Sequence, residues 1–317
     1  MITIATHSGS HHADDVVGVA ILMHLHPHAR LLRTRDPEQI SQADFAVDVG
    51  GEWDSARGRF DHHQKGFAGA RASGVVYASA GLVWDAHGRD FLYSLYQDLS
   101  ADDLDLLHQR IDDDLVQHVD MADTGAAAGA AGRFGFSMLI DAFNVTREEI
   151  EASAVPNTPE RRAFIFESRS YNNFMQAVRH AGVLLERCAA HAYNAMRSRA
   201  LVLEAEQQGN GHILVLPAAG LDWIPVVCES MPDVLFVVYP DSADAQHQVR
   251  TVPVTAESFT ARCDLPAAWA GLRDVDLAQA TGVADAVFCH NARFICGAAS
   301  KQGAIALATL ALEAALS

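Results

Sequence analysis

Four short segments of the chain concentrate side chains that bind hard divalent cations. The first is His7-Ser-Gly-Ser-His11-His12-Ala-Asp14-Asp15, and the second is Asp48 within VDVGG. The third is Asp61-His62-His63, and the fourth is Asp120-Met-Ala-Asp123. Imidazole combined with carboxylate suits Mn, Fe or Zn, and a carboxylate-rich set moves the balance towards Mn or Mg. Two ions about 3.5–4 Å apart need roughly this many ligands, one carboxylate bridging them. Each segment also has a plainer reading. Asp14 and Asp15 suit the first turn of a helix, where acids cap it and oppose its dipole. Asp48 suits the end of a strand, His62 and His63 a solvated turn, and Asp120 an acidic helix face. The four in one chain, with matching residue types, favour a metal site over four separate accidents.

The elements around these residues place them usefully. MITIAT reads as a short buried strand ending at His7, and ADDVVGVAILMHLH as a helix with acids in its first turn. ARLLRTR and DFAVDVGG read as further strands, the latter ended by Gly50 and Gly51, and GVVYASAGLVWDAHG as a helix closed by Gly88. His7 and Asp48 therefore sit at the C-terminal ends of two strands, the edge at which open α/β sheets bind ligands. LDLLHQRIDDDLVQHVDMAD reads as one helix, TGAAAGAAGRFG as a loop, and ERRAFIFESRSYNNFMQAVRHAGVLLERCAAHAYNAM as one or two long helices. Beyond Gly209 the texture changes: HILVLPA, WIPVVCES, DVLFVVYP and HQVRTVPV read as strands. A strand, turn, strand and helix close the chain. The fold class is α/β: an N-terminal domain with a mostly parallel sheet over residues 1–125, a helical connector over 126–200, and a smaller α+β domain over 201–317.

Composition bounds the function. At 317 residues the chain is long enough for two domains. It carries 23 Lys+Arg against 40 Asp+Glu, a formal charge of −17. That excludes broad, sequence-independent adhesion to nucleic acid or anionic membrane, although metal ions in an acidic pocket reverse the local field. No apolar run reaches the ~18 residues of a membrane span. The N-terminal residues lack the basic and apolar regions of a signal peptide. The five cysteines form no CxxC pair. The expectation is a reduced, cytoplasmic setting with no membrane partner; homo-oligomerisation is left open.

HSGSHHADD, VDVGG, DHHQKGF, SAGLVW and VDMADTG, in this order, resemble the N-terminal motifs of the Myg-type (melanocyte proliferating gene) family of the DHH phosphoesterase superfamily. LPAAWAGLRD and DAVFCHNARFICGAASKQGAIALA resemble its closing segment. The resemblance implies His7 and His12 on one ion, and Asp14, His62 and Asp120 on the other. It implies Asp48 as the bridge, with Asp15 and Asp123 as alternates for their neighbours. His63 would face the substrate phosphate, and Asp61 would orient the histidines beside it. The superfamily usually carries an aspartate where this chain has His12. In the closing segment the family has GFIGG and a basic pair, where this chain has Arg293-Phe-Ile-Cys-Gly297-Ala-Ala-Ser-Lys301. His290, Arg293, Gly297 and Lys301, with Arg273 as an alternate, are implied to meet substrate, and Lys301 to stabilise developing negative charge.

The expected activity is phosphodiester hydrolysis by water activated between two ions, Mn first, with Mg, Zn or Fe as alternatives. The resemblance implies an RNA or short-oligonucleotide substrate shortened from its 3′ end. Three rivals stand beside it: a small-molecule phosphohydrolase acting on pyrophosphate or a nucleotide phosphate, a metal-dependent amide hydrolase, and a non-catalytic metal-dependent binding module. The amide hydrolase lacks the HExxH helix that would support it.

Overall fold

In the computed structural model, which describes residues 1–126, 135–241 and 245–316, the chain divides into two units, Met1–Ala192 and Tyr193–Ser317. The helical segment expected as a connector thus falls with the first unit as far as Ala192.

In the first unit the chain runs β1 (Thr3–Thr6), α1 (Ala13–Leu25), β2 (Arg30–Arg33), α2 (Pro37–Gln42), β3 (Phe45–Val47), β4 (Trp53–Asp54) and β5 (Arg59–Phe60). The sheet order is β2-β1-β3-β5-β4, with β4 the antiparallel edge and the other pairings parallel. Its central strands are short apolar runs buried on both faces, as a covered parallel sheet requires. Thr6 is paired with Val47, and Val47 with Phe60. The next residues, His7, Asp48 and Asp61, therefore leave one sheet edge side by side.

Helices cover that sheet. α1 packs on α3 (Ser79–Leu95), and Gly18 permits the approach. A Cβ there would lie 2.8 Å from Val47 Cγ1 and 3.3 Å from Val83 Cγ2. α3 begins later than its sequence reads and runs through Gly88 rather than stopping at it. A Cβ at Gly88 would lie 2.6 Å from the Trp84 ring and 2.8 Å from His108. The glycine admits the neighbouring helix, α4 (Ala101–Ile111), instead of ending its own. α4 continues through a π-helical turn, Asp112–Val116, into α5 (Gln117–Asp123), so LDLLHQRIDDDLVQHVDMAD is continuous helix. The Ala/Gly stretch read as a loop follows, and its residues 127–134 lie outside the described residues. Next come α6 (Phe136–Asp141), α7 (Arg147–Ser153) and α8 (Pro159–Leu203), a single helix of 45 residues.

The second unit has a mainly antiparallel sheet. Its elements are β6 (Glu206–Gln208), β7 (Ile213–Val215), α9 (Ile224–Ser230), β8 (Phe236–Pro240), β9 (His247–Thr251), α10 (Asp274–Thr281), β10 (Ala286–Cys289), β11 (Ile295–Ala298) and α11 (Lys301–Leu316). The strand order is β10-β11-β9-β8-β7-β6, with only β7–β8 parallel. Its core joins Phe236, Val238 and Val249 of the sheet to Leu307, Ala308 and Ala311 of α11. WIPVVCES, read as a strand, is helix α9: Pro225 stands at the start, where its missing N–H costs nothing.

Candidate metal centre

The in-register strand ends set the geometry. After β1 the chain crosses the Ser-Gly-Ser loop and enters α1, so His7, His12, Asp14 and Asp15 come from one loop and helix start. Asp48 follows β3 with a left-handed backbone, φ 55°, a region that L-residues other than Asn and Asp rarely enter. His7 Nε2 lies 3.3 Å from both Asp15 Oδ2 and Asp48 Oδ2. His62 Nε2 lies 3.6 Å from Asp48 Oδ1 and 3.2 Å from Asp123 Oδ2. His63 Nδ1 lies 3.3 Å from Asp48 Oδ1 and 2.8 Å from Asp61 Oδ1.

Three ligand groups follow: His7, His12 and Asp48; Asp48, His62 and His63; and His12, Asp14 and Asp123. Within each, the nearest ligand atoms lie within 4.8 Å of one another. Asp48 belongs to two groups, and His12 joins the first to the third.

The buried charges are poorly matched by the protein alone. Asp14 is fully buried, and neither of its oxygens accepts a hydrogen bond of good geometry. Burial first, and then the charges of Asp48, Asp123 and Asp15, push its carboxyl well above the ordinary carboxylate value. Burial likewise raises Asp15 to about 6, against the pull of His7. Asp48 would also rise on burial, but hydrogen bonds with His62 and His7 hold it well below the usual range. Burial opposes protonation of His62, yet Asp123 and Asp48 raise its pKa to about 10. His7 is raised in the same way by Asp48 and Asp15 against its burial. A buried carboxylate without a well-placed donor, beside His7 and His62 rings drawn towards protonation by their carboxylate neighbours, is the arrangement a divalent cation satisfies. The nitrogen and oxygen donor set fits Mn, Fe or Zn, with Mg favoured by the carboxylates.

Other residues brace these ligands. Asp15 Oδ1 accepts the His12 backbone N–H at 2.9 Å, so Asp15 also closes the α1 cap. Asp61 accepts from the His63 ring at 2.8 Å and from the Gly51 N–H at 2.6 Å, and so faces the turn behind the cluster. Asp120, read as a ligand, is turned elsewhere. It accepts the Gly81 N–H at 2.9 Å and pairs with Arg71 at 2.8 Å. Burial raises its pKa to about 7, against Arg71 and Gly81. Asp123, one helical turn on, is the member of the pair that faces His62 and His12.

Four bracing residues escaped the sequence reading. Ser79 Oγ donates to Asp48 Oδ1 at 3.1 Å. Asn144 accepts the His11 N–H and donates to the His11 carbonyl, each at 2.9 Å. Arg33 donates to the carbonyls of His7 and Gly9. Arg35 donates to the Ser8 carbonyl and brings Nη2 to 3.3 Å from His7 Nδ1. Ser79 alone had a local signal, its place in SAGLVW.

The remaining implied residues lie in the second unit and engage their own neighbours. His290 Nδ1 accepts the Ala292 N–H at 3.0 Å. Arg293, with φ 58°, pairs with Asp264 at 2.7 Å. Gly297 is in β11, where a Cβ would lie 2.8 Å from the Phe288 ring, so packing alone demands glycine there. Arg273 precedes α10, and half-exposed Lys301 lies 3.7 Å from Glu206.

The MYG1 exonuclease family model, described as an uncharacterised protein family (UPF0160), matches residues 3–312. The MYG1 exonuclease of Rattus norvegicus is 32% identical over 98% of the chain and 85% of its own length. A MYG1 protein of Saccharomyces cerevisiae is 31% identical over 98% of the chain and 95% of its own length. A solved structure of RecJ in complex with Mn2+ from Thermus thermophilus aligns with 99% of the chain and about half of its own length, 52%, at 16% identity and a TM-score of 0.28. That likeness is too low to carry a fold or a metal across. The match over almost the whole chain, with DHH and the strand-end ligands within it, places this protein in the MYG1 exonuclease family.

Proposed function

We propose that the chain is a metal-dependent phosphodiester hydrolase that removes nucleotides from the end of RNA or short oligonucleotides, by the family resemblance from the 3′ end. The observation that carries the metal dependence is Asp14: a buried carboxylate that accepts no hydrogen bond of good geometry, amid Asp15, Asp48, Asp123 and the histidines. His7, His12 and Asp48 would hold one ion, and Asp14, His62 and Asp123 a second. Ions in these positions supply Lewis-acid polarisation of a phosphoryl oxygen and lower the pKa of water.

The chain's own residues do the rest. His63 is 62% exposed at its side chain and gives Nδ1–H to Asp61. That fixes its tautomer and leaves Nε2 free to exchange a proton with a bound phosphate. Arg35, on the far side of His7, braces that ring from behind. Ser79 keeps Asp48 in one orientation. The formal charge of −17 opposes long-range capture of polyanions, which favours short oligonucleotides over long RNA as substrates.

Hydrolysis of end-labelled short RNA by metal-stripped protein, with Mn, Mg or Zn restored, tests this reading. Mn-dependent shortening from the 3′ end is expected, and Asp48→Ala should lower it at least about a hundredfold. Near-normal turnover in folded Asp48→Ala protein would sink the mechanism. Rates on pentanucleotides, longer RNA and pyrophosphate separate the oligonucleotide substrate from a small-phosphate one.

A further inference from the structure

The metal cluster forms one end of a cleft of about 610 Å³, which shares His12, Asp14 and Asp123 with it. The rest of the cleft has a different character. Leu115 and Val119 form one wall, and Phe136 and Met138 of α6 another. Met138 is 46% exposed, an apolar side chain left open at the cleft. The charged and titratable groups that line it are Asp14, Asp123, Asp141, His12 and His118, and no lysine or arginine does so among the described residues. α6 is also held in place from the cluster side. Asn144, just beyond its end, makes the paired hydrogen bonds to His11 and donates to Asp141 Oδ1 at 2.9 Å. The Phe136–Met138 wall is thereby tied to the loop that carries His7 and His12.

We propose that this cleft seats the nucleoside attached to the phosphate held at the metal cluster, so that the enzyme selects nucleotides over bare phosphates. The inference rests on the hydrolase reading and specifies its substrate site. Volume, polarity and position each support it. The cleft has the size of a small-ligand site and is largely apolar with few polar groups. Outside the cluster the cleft offers Asp141 and, among the described residues, no lysine or arginine, so the anion belongs at the cluster end and the uncharged base and sugar in the cleft. The Phe136 ring and the Met138 thioether both line the cleft and offer contacts that every base can make. Ser137 and His118 at the edge offer hydrogen bonds to base or sugar. Recognition of this kind tolerates any sequence, as removal of successive nucleotides requires.

The test compares ligands that differ only by the base. Full-length protein loaded with Mn is titrated with inorganic phosphate, ribose 5-phosphate and adenosine 5′-monophosphate. The nucleotide is expected to bind about tenfold or more tightly than ribose 5-phosphate, the usual effect of one stacked base. Met138→Ala, at an exposed position, and Phe136→Ala should each reduce that advantage severalfold and leave phosphate affinity and Mn content unchanged. Equal binding of ribose 5-phosphate and the nucleotide to the native protein overturns the nucleoside site while leaving the phosphate site intact. An advantage that persists undiminished in both folded variants also overturns it, because the base then lies elsewhere. Binding of none of the three ligands overturns the hydrolase reading itself, and the nucleoside site with it.

Discussion

Ser79 makes the most direct demand on a single side chain: its hydroxyl donates to Asp48, the carboxylate shared between two ligand groups. Removing such a bracing partner costs metal sites about 10–100-fold in affinity. Ser79→Ala is expected to weaken Mn binding about tenfold, read by titration with a competing chelator, while the folded state is retained. At this scale the sequence was legible where residue type alone signals chemistry. His7, Asp48, His62 and His63 are unusual enough together to be read without a structure. Asn144 was not legible, because its partner His11 is 133 residues away and an asparagine before a helix has a sufficient local explanation as a capping or turn residue. The choice between Asp120 and Asp123 was open for a similar reason. Both lie on one helix, and only the position of Arg71 decides which carboxylate faces away from the cluster.

Among the elements, the α4–α5 helix is locked to the loop after DHHQKGF by Arg71. The guanidinium meets Asp112 in the π turn at 2.6 Å and Asp120 in α5 at 2.8 Å, with the Tyr77 ring 4.4 Å away. All three charged groups are buried or nearly so. Deleting one partner of a buried ion pair leaves a charge with neither water nor a counterion, a loss of about 3–5 kcal/mol. Arg71→Ala is therefore expected to lower the unfolding free energy by about that amount in denaturant titrations. It should also weaken Mn binding, because Asp123 is carried by the same helix. A drop of under about 1 kcal/mol would mean the pair is a surface contact in effect. Sequence reading placed this helix correctly, since its periodicity is long. It failed on WIPVVCES and on Gly88. A short apolar run does not distinguish strand from helix, and a glycine that admits a neighbouring helix looks, in sequence, like a glycine that ends its own.

The stability of the whole molecule carries a pH signature from histidines held neutral. Burial lowers the pKa of His108 below its ordinary 6.5, and its ring stacks on Trp84 while bonding to the Trp84 carbonyl at 3.0 Å. As the pH falls below about 6.5 the unfolded chain takes up this proton before the folded one does. The contribution is fully present above that pH and is lost as the pH falls towards the lowered native value. One such group changes stability by at most about 1.4 kcal/mol per pH unit. His7 and His62 are shifted the other way, so the informative quantity is a difference between proteins. His108→Gln keeps a donor for the carbonyl but does not titrate. Between pH 7 and 5 its unfolding free energy should fall less steeply than that of the native protein, and parallel curves would exclude His108 as the source.

The left-handed backbone of Asp48 sets function against durability. That conformation costs most L-residues about 1–2 kcal/mol and glycine almost nothing. The charge of Asp48 is balanced by His7 and His62, and glycine and alanine remove that balance alike. In the metal-free protein Asp48→Gly also relieves the backbone, whereas Asp48→Ala leaves it strained. The glycine variant should melt at a higher temperature than the alanine variant, and both should be equally inactive. A difference of that sign would assign the loss to the twisted backbone and not to the missing charge, so that the residue best suited to the chemistry at this strand end is not the one best suited to its conformation.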